Sequence, residues 1–284
     1  MNERARTAPA RVVLNIVAIA VFVFSVFPVY WMVNSALLPT SAIRSSTPHF
    51  WPDEFTLRNF ITVVTEPSGS IEFVPALMTS LAVTLLTVIA ALIFAFFAAL
   101  ALSRFQFRSR RTLIVLLLVA QMIPAEAMIV SIYRVLDGWQ LINTIIGLTL
   151  VYLATVLPFT IWTLRGFVGG IPIELEEAAM VDGCARMGAF FRVTLPLLWP
   201  GLIATGVFAF IQAWNEFVFA LVIMQKPEAR TLPVWLRAYV QATQATDWAA
   251  IMAGSTLIAV PVIIFFLIVQ GRMVSGIAAG AVKG

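Results

Sequence analysis

The chain has 284 residues, of which 61% are hydrophobic and 11% charged, and its formal net charge is +4. Soluble domains are about 45–50% apolar and about 25% charged, so the composition excludes an ordinary soluble domain and indicates an integral membrane protein. One His and one Cys exclude a His/Cys metal cluster and an intrachain disulfide.

Six uncharged or nearly uncharged runs reach the ~20 residues that a bilayer core requires. Runs of this length favour a helical bundle over a β-barrel. The fold class predicted from them is an all-α, polytopic membrane protein with six transmembrane helices. The predicted spans are Val12–Leu38, Phe73–Leu102, Leu113–Tyr133, Ile145–Val168, Leu197–Met224 and Trp248–Gln270.

The loop charges predict the orientation, because short cytoplasmic loops carry an excess of Lys and Arg. Twelve Lys/Arg lie on the side of the two termini and six on the other side, so both termini are expected in the cytoplasm. This asymmetry accounts for the net charge and does not indicate nucleic-acid binding. The first apolar run is too long for a signal-peptide core and no A-x-A-like site closes it, so it is expected to be retained.

The predicted organisation follows these spans. Residues 1–11 form a cytoplasmic arm, 12–38 the first span, 39–72 an extracytoplasmic loop, 73–271 a core of five spans, and 272–284 a cytoplasmic tail. In the first loop, Phe55–Val64 is expected to form a short helix, either lying on the membrane surface or packed against the protein. The basic run Ser103–Arg111 is expected to be a solvated, headgroup-facing loop.

The third span carries an ionisable residue, Glu126, two residues after Pro124. Such groups are costly in hydrocarbon and usually face a bundle interior or an aqueous cavity. One interpretation is a translocation-path residue; the other is a solvated Glu at the outer boundary or one paired with Arg134. As one continuous helix, the span would place four residues on one face: Met122, Glu126, Ile129 and Tyr133.

The fifth span interleaves amides, a carboxylate and aromatic rings. Gln212 and Asn215 are predicted to share a face with Phe208 and Phe219, and Glu216 adjoins it. Such a face suits a sugar, whose hydroxyls take polar hydrogen bonds while its C–H faces stack on rings. The alternative is interhelical hydrogen bonding, which we favour slightly for the two amides.

The segment Ile173–Pro196 between spans four and five is the longest in this part of the chain that does not suit lipid. Three acidic residues, Glu174, Glu176 and Glu177, suit the N-terminus of a helix, and Gly183 predicts its C-cap. A second short helix is expected at Cys184–Val193, with Pro196 opening span five. One face of the first helix would allow a partner to approach closely, because two of its side chains are small. That face contains Leu175, Ala178, Ala179 and Asp182. The prediction is a cytoplasmic helix-turn-helix that receives mechanical work from a partner.

The same segment contains Glu177-Ala178-Ala179, three residues, Gly183, nine residues, Val193, one residue, and Leu195-Pro196. It resembles the EAA loop of bacterial ATP-binding-cassette importer permeases, E-A-A-x3-G-x9-I-x-L-P, with Val193 in place of Ile. Further segments resemble the carbohydrate branch of that family, in particular the second subunit of maltose permeases: NTIIGL (143–148), LPFTIW (157–162), WNEF (214–217) and the closing GAVKG (280–284).

The resemblance implies a non-catalytic translocation subunit with no bound cofactor or metal. Its implied partners are a second, homologous permease subunit in a heterodimer, two copies of an ABC ATPase that use ATP and Mg, an extracytoplasmic solute-binding protein, and membrane lipid. It implies residence in the bacterial inner membrane. No G-x-x-x-x-G-K-[ST] run occurs in the chain.

The resemblance also implies site residues, and none of them is catalytic. The ATPase-coupling residues would be Glu177, Ala178, Ala179, Asp182, Gly183, Leu195 and Pro196. The weaker candidates for the substrate path are Glu126, Gln212, Asn215 and Glu216. A further hypothesis is that the GAVKG tail reaches the ATPase dimer.

Three alternatives compete with a carbohydrate importer. The same machinery could import a polyol or a glycerophospho-compound, although no mid-span Lys or Arg offers a site for phosphate. An ion-coupled secondary transporter would be expected to have inverted repeats and several intramembrane carboxylates. A membrane enzyme would need a metal set or a nucleophile–base pair, which the sequence does not offer.

Overall fold

The computed structural model describes residues 8–45, 47–52, 54–68, 70–240 and 246–281. The predicted arm at 1–11 and tail at 272–284, including GAVKG, lie partly outside these residues. The chain divides into two compact units, Met1–Gly69 with Ala238–Val260, and Ser70–Arg237 with Pro261–Gly284.

The first unit contains α1 (Ala8–Ala36), α2 (Thr40–Ile43), α3 (Arg58–Thr65) and the first part of α13 (Trp248–Ala281). The side-chain amide of Asn59 on α3 donates to the backbone carbonyls of Ala36 and Leu38, at 2.8 Å each. Val63, one turn further along α3, is fully buried. The structure therefore favours the packed alternative for the helix predicted at Phe55–Val64, because Asn59 bonds to the end of α1 and Val63 is enclosed by protein.

The second unit is built on three long helices, α4, α7 and α10, which pack against one another. Ala91, Ala95 and Ala99 on α4 are fully buried at four-residue intervals, and such small residues let membrane helices approach closely. A Cβ added to Gly201 on α10 would meet the Phe167 ring at 2.5 Å, so this contact also requires a small residue. The helices of the unit are α4 (Phe73–Arg104), α5 (Arg110–Met122), α6 (Ile129–Gly138), α7 (Ile145–Gly170), α8 (Glu174–Val181), α9 (Arg186–Ala189), α10 (Leu195–Trp214), α11 (Val218–Ile223), α12 (Leu232–Arg237) and the second part of α13.

Five stretches of helix among the described residues are long and apolar enough to cross a membrane. The pair α5 and Ala125–Gly138 makes a sixth if it is counted as one span, although it is bent by 82°. The unbroken stretches are Val12–Ala36, Phe73–Arg104, Ile145–Gly170, Arg186–Trp214 and Trp248–Gly271. The predicted all-α fold is confirmed, and the predicted number of spans holds when the bent pair counts as one.

The prediction of a continuous third span at Leu113–Tyr133 was wrong. The helix stops at Met122, Ile123 adopts an extended conformation, and a 3₁₀ turn covers Ala125–Met128. Pro124 explains the break, because proline disfavours a helical residue before it and has no N–H to donate. Met122 and Glu126 consequently do not share a helical face with Ile129 and Tyr133.

The boundaries predicted around span five were also wrong. No separate helix covers Cys184–Val193: α9 continues through a π-helical stretch at Phe190–Thr194 into α10. Pro196 therefore lies at the start of α10 but does not open a separate helix, because the π-helical stretch leads directly into α10. The span then ends at Trp214, and Phe219 belongs to α11 beyond a break, so the predicted face with Phe208, Gln212 and Asn215 does not extend to it.

Candidate functional site

Helix α8 leaves its side chains largely exposed. None of its residues is buried, and three large apolar side chains are 43%, 38% and 87% exposed: Leu175, Met180 and Val181. Glu177 and Ala178 are exposed, and Ala179 is half-buried. The helix therefore offers an apolar and acidic surface that the rest of the described chain leaves uncovered.

The end of α8 is shaped by Gly183, whose φ of +90° few residues other than glycine adopt. The N–H of Gly183 donates to the carbonyl of Met180 at 3.1 Å, and the N–H of Cys184 donates to that of Ala179 at 3.0 Å. This pair of bonds is the Schellman motif that ends many helices. The predicted C-cap at Gly183 is confirmed, and Asp182 lies in the same turn.

A half-buried ion pair fixes the other side of α8. The carboxylate of Glu176 lies 3.1 Å from the guanidinium of Arg104 at the end of α4, and the two side chains are 14% and 13% exposed. The same carboxylate oxygen accepts a 2.7 Å hydrogen bond from the hydroxyl of Thr194. Arg104 also donates to the carbonyl of Ile171 at 3.1 Å. Glu176 therefore links α8 to α4 and to the π-helical stretch.

This ion pair was missed at the sequence level, where Arg104 was assigned to a solvated loop and Glu176 to the acidic first turn. The prediction for Arg104 was wrong, because its guanidinium is enclosed by protein partners. The sequence carries only a weak signal, an Arg in the last turn of α4, since the pairing depends on how α4 and α8 pack. Once desolvated, each of the two charges requires the other.

The seven predicted coupling residues lie within one segment, in two groups. Five lie on α8 and its closing turn: Glu177, Ala178, Ala179, Asp182 and Gly183. Leu195 and Pro196 lie at the start of α10, after the fully buried Thr194. Leu195 lines an apolar groove along α4 together with Glu176. Glu176 and Thr194 therefore join the two groups.

Three of the four candidate substrate-path residues line one cavity of about 850 Å³ at the break between α5 and α6: Glu126, Gln212 and Glu216. Trp139 and Phe159 contribute aromatic rings to the same lining, and Gln121 contributes a further amide. The residues that line the cavity include no Lys or Arg. Glu126 forms no ion pair with Arg134 or with any other described residue.

Asn215 and Glu216 are occupied by local hydrogen bonds. The amide of Asn215 donates to the carbonyl of Ile211 within its own helix at 2.9 Å, and Asn215 is not part of the cavity lining. The carboxylate of Glu216 accepts the backbone N–H groups of Phe219 and Ala220 at 2.7 and 3.1 Å. Glu216 thus caps α11, as acidic groups at helix N-termini do.

The NTIIGL segment has a structural explanation. Asn143 has a φ of +60°, and its side-chain oxygen accepts the N–H of Lys226 at 2.8 Å. The hydroxyl of Thr144 caps α7 by accepting the N–H of Gly147 at 3.0 Å. A Cβ on Gly147 would collide with the carbonyl of Leu141. These residues hold a turn, so they are not evidence for a solute contact.

Comparisons with known proteins place the chain in one family. Residues 91–278 match the family described as "Binding-protein-dependent transport system inner membrane component". The chain is 45% identical to the diacetylchitobiose uptake system permease protein DasC of Streptomyces coelicolor, over 98% of this chain and 99% of that one. It is 33% identical to the trehalose transport system permease protein SugB of Mycobacterium tuberculosis, over 92% and 93% of the two chains.

A solved structure supports the fold. A chain of a bacterial ABC transporter involved in the import of alginate superposes with a TM-score of 0.78 at 20% identity, over 95% of this chain and 99% of that one. The alignment with DasC covers both proteins almost completely. The chain belongs to the family of inner membrane components of binding-protein-dependent transport systems.

Proposed function

We propose that this chain is the permease subunit of an ATP-driven importer for a carbohydrate, most simply a di- or oligosaccharide. The observation that carries the solute class is the 45% identity, over almost the whole of both chains, to a permease named for diacetylchitobiose uptake. The relative named for trehalose transport supports the same class. Both solutes are disaccharides that carry no net charge.

Helix α8 is the proposed coupling helix. Its exposed surface around Glu177, Ala178 and Ala179 would sit in a cleft of one ATPase subunit, and two copies of the ATPase would hydrolyse ATP with Mg. Closure of the ATPase dimer would push α8, and Glu176 would pass the displacement to α4 through Arg104. This motion would switch the bundle between inward- and outward-facing states, each favoured by different bound partners.

The cavity beside α5 and α6 is the proposed contribution of this chain to the solute path. Glu126 and Gln212 would accept and donate hydrogen bonds to sugar hydroxyls, and Trp139 or Phe159 would stack on a pyranose face. A lining without Lys or Arg suits an uncharged solute. A glycerophospho-compound, the alternative within the same machinery, would need cations from the second permease subunit.

Membership of the family supports the remaining assembly, which is part of the proposal. An extracytoplasmic solute-binding protein would deliver the sugar. The predicted outer loop Gln225–Asp247, of which residues 241–245 lie outside the described part of the chain, is the proposed contact for it. A second, homologous permease subunit would complete the path in the bacterial inner membrane, with both termini of this chain in the cytoplasm.

The test is to purify this chain from its native membrane and identify every protein that accompanies it. ATPase activity is then assayed in liposomes with candidate disaccharides and the solute-binding protein that accompanies the chain. We expect stimulation that requires both sugar and binding protein.

Glu177→Ala and Gly183→Asp should abolish transport while the binding protein keeps its affinity for free sugar. A lone subunit whose uptake follows an ion gradient would overturn the proposal.

A further inference from the structure

A long apolar groove runs between the second half of α4 and the helix formed by α9, the π-helical stretch and α10. We call it the α4–α10 groove; its volume is about 900 Å³. Aromatic side chains dominate its walls, among them Phe96, Phe97, Phe190, Phe191 and Trp199. Phe97, Phe191 and Trp199 remain 64%, 57% and 51% exposed, so the groove is open at its side.

The polar residues of the groove are all at one end, next to α8. They are Arg104, Glu176 and Arg186. Arg104 and Glu176 neutralise each other, whereas Arg186 has no acidic partner among the described residues. Its guanidinium lies 5.7 Å from the centroid of the Phe105 ring. The end of the groove therefore carries one positive charge that forms no ion pair among the described residues.

The length of the groove matches one leaflet of a bilayer. Its lining extends from Leu92 on α4 to Phe105, the residue after that helix, which corresponds to ~20 Å at the rise of a helix. Half of a bilayer core is ~15 Å. An amphiphile with its headgroup beside Arg186 would therefore have its chain alongside Phe96 and Trp199, at the depth of the acyl region.

We propose that the α4–α10 groove binds one anionic phospholipid from the leaflet next to α8. An acyl chain lies along the aromatic walls, and the phosphate accepts hydrogen bonds from the guanidinium of Arg186. The guanidinium can stack on Phe105 and still direct N–H groups at a phosphate, since its donors lie in the plane of the group.

Charge favours this lipid over a helix of another subunit. A helix in the groove would remove water from Arg186 without neutralising it, unless it brought a carboxylate to that position. An anionic lipid supplies an apolar chain and one negative headgroup in the observed order. The basic run that follows α4, with Arg108, Arg110 and Arg111, raises the local concentration of anionic lipid at the same end. The inference requires only that the chain lies in a membrane, not that it transports sugar.

The test measures quenching of Trp199 fluorescence by brominated lipid. The chain, in the assembly with which it purifies, is placed in phosphatidylcholine nanodiscs containing a minor fraction of brominated phosphatidylglycerol or of brominated phosphatidylcholine. The Trp199 signal is obtained as the difference between the parent protein and Trp199→Phe. We expect the brominated anionic lipid to quench this signal about fivefold more effectively per molecule, the preference that one basic residue contributes near a membrane surface.

Charge variants separate the headgroup site from general lipid exposure. Arg186→Gln should make the two brominated lipids equally effective, and Arg186→Lys should retain most of the preference. Arg192→Gln removes a charge from the same helix outside the groove lining and should change nothing. Equal quenching in the parent protein would overturn the headgroup assignment. Absence of quenching by either lipid would show that another subunit covers the groove, and would overturn the whole proposal.

Discussion

The carboxylate of Glu176 and the guanidinium of Arg104 lie 3.1 Å apart, where the exposed helix α8 meets the end of α4. Glu177, the next residue on α8, is exposed. Two adjacent glutamates of one helix turn therefore have opposite environments, one enclosed by the protein and the other available to a partner. A force applied to the exposed side of α8 has a direct route into the membrane bundle through this contact.

Removing one charge of the half-buried Arg104–Glu176 pair should destabilise the protein. Glu176→Gln keeps the size of the side chain but leaves the half-buried guanidinium of Arg104 without a counter-charge. Breaking a fully buried pair costs ~3–5 kcal/mol, and we expect a smaller loss here because Arg104 is 13% exposed and keeps the carbonyl of Ile171 as an acceptor. We expect a clear fall in the thermal unfolding midpoint of the purified assembly. Glu174→Gln, at an exposed position of the same turn, is the matched control and should have little effect.

The double variant Arg104→Gln with Glu176→Gln decides whether the two residues act as a pair. With both charges removed, no enclosed charge is left unpaired, so part of the lost stability should return. If the loss of stability in the double variant equalled the sum of the losses in Arg104→Gln and Glu176→Gln, this result would contradict the coupling between α4 and α8.

Gly183 should be more sensitive to substitution than its open surroundings suggest. A Cβ at this position would meet no atom within 4 Å, but φ is +90°, and a side chain in the left-handed region costs ~1–2 kcal/mol. Gly183→Ala should therefore loosen the turn and lower sugar-stimulated ATP hydrolysis. Circular dichroism melts and ATPase assays in liposomes would measure the two effects.

Gly166→Ala provides the comparison for Gly183. Gly166 lies inside α7, and a Cβ there also meets nothing within 4 Å. Its backbone is helical, so alanine should be neutral or slightly stabilising. Equal effects of the two substitutions would mean that the left-handed turn does not determine how α8 is held.

Substitution of Glu126 or Gln212 should raise the KM for transport of the solute, because both residues line the cavity. Replacing Glu126 by Gln weakens hydrogen bonds that are stronger with a charged partner, and a loss of ~1.5 kcal/mol corresponds to about a tenfold rise in the KM for transport. Gln212→Ala should act in the same direction. Basal ATP hydrolysis should remain near that of the parent protein, since neither residue contacts α8.

Asn215→Ala is the control for these cavity variants. Asn215 is exposed and bonded within its own helix, outside the cavity lining, so its loss should leave the KM unchanged. A larger effect at Asn215 than at Glu126 would place the solute path elsewhere. Glu216 is unsuitable for this comparison, because its removal would also uncap α11.

The long helices could be predicted from the sequence because apolar runs of bilayer length have few alternatives to helix. The end of α8 at Gly183 could be predicted equally well, since the residues that end a helix are neighbours in sequence. The Arg104–Glu176 pair could not be predicted, because the two residues are distant in sequence and only the packing of α4 against α8 brings them together. The break at Pro124 was underestimated: the effect of proline on the preceding residue was available, but membrane helices often tolerate proline.

Pro124 should determine the bend in the third span. In Pro124→Ala, residue 123 is free to become helical and residue 124 regains an N–H that can donate to the carbonyl of residue 120. We expect α5 to extend toward Met128 and the 82° bend to open. Spin labels at the exposed positions Val119 and Val130 report this change, after the single Cys184 has been replaced by Ser. In one straight helix, the eleven intervening steps span ~16 Å, longer than the distance across a bend.

Pro158→Ala is the control with the same labels, because Pro158 lies inside the continuous helix α7. It should leave the label distance unchanged.

Opening the bend in Pro124→Ala should also displace Glu126 and Trp139 from the cavity, so sugar uptake should fall together with the change in distance. If the distance in Pro124→Ala matched that of the parent protein, the packing of α5 and α6 against the bundle would set the bend, and the proline would merely be compatible with it.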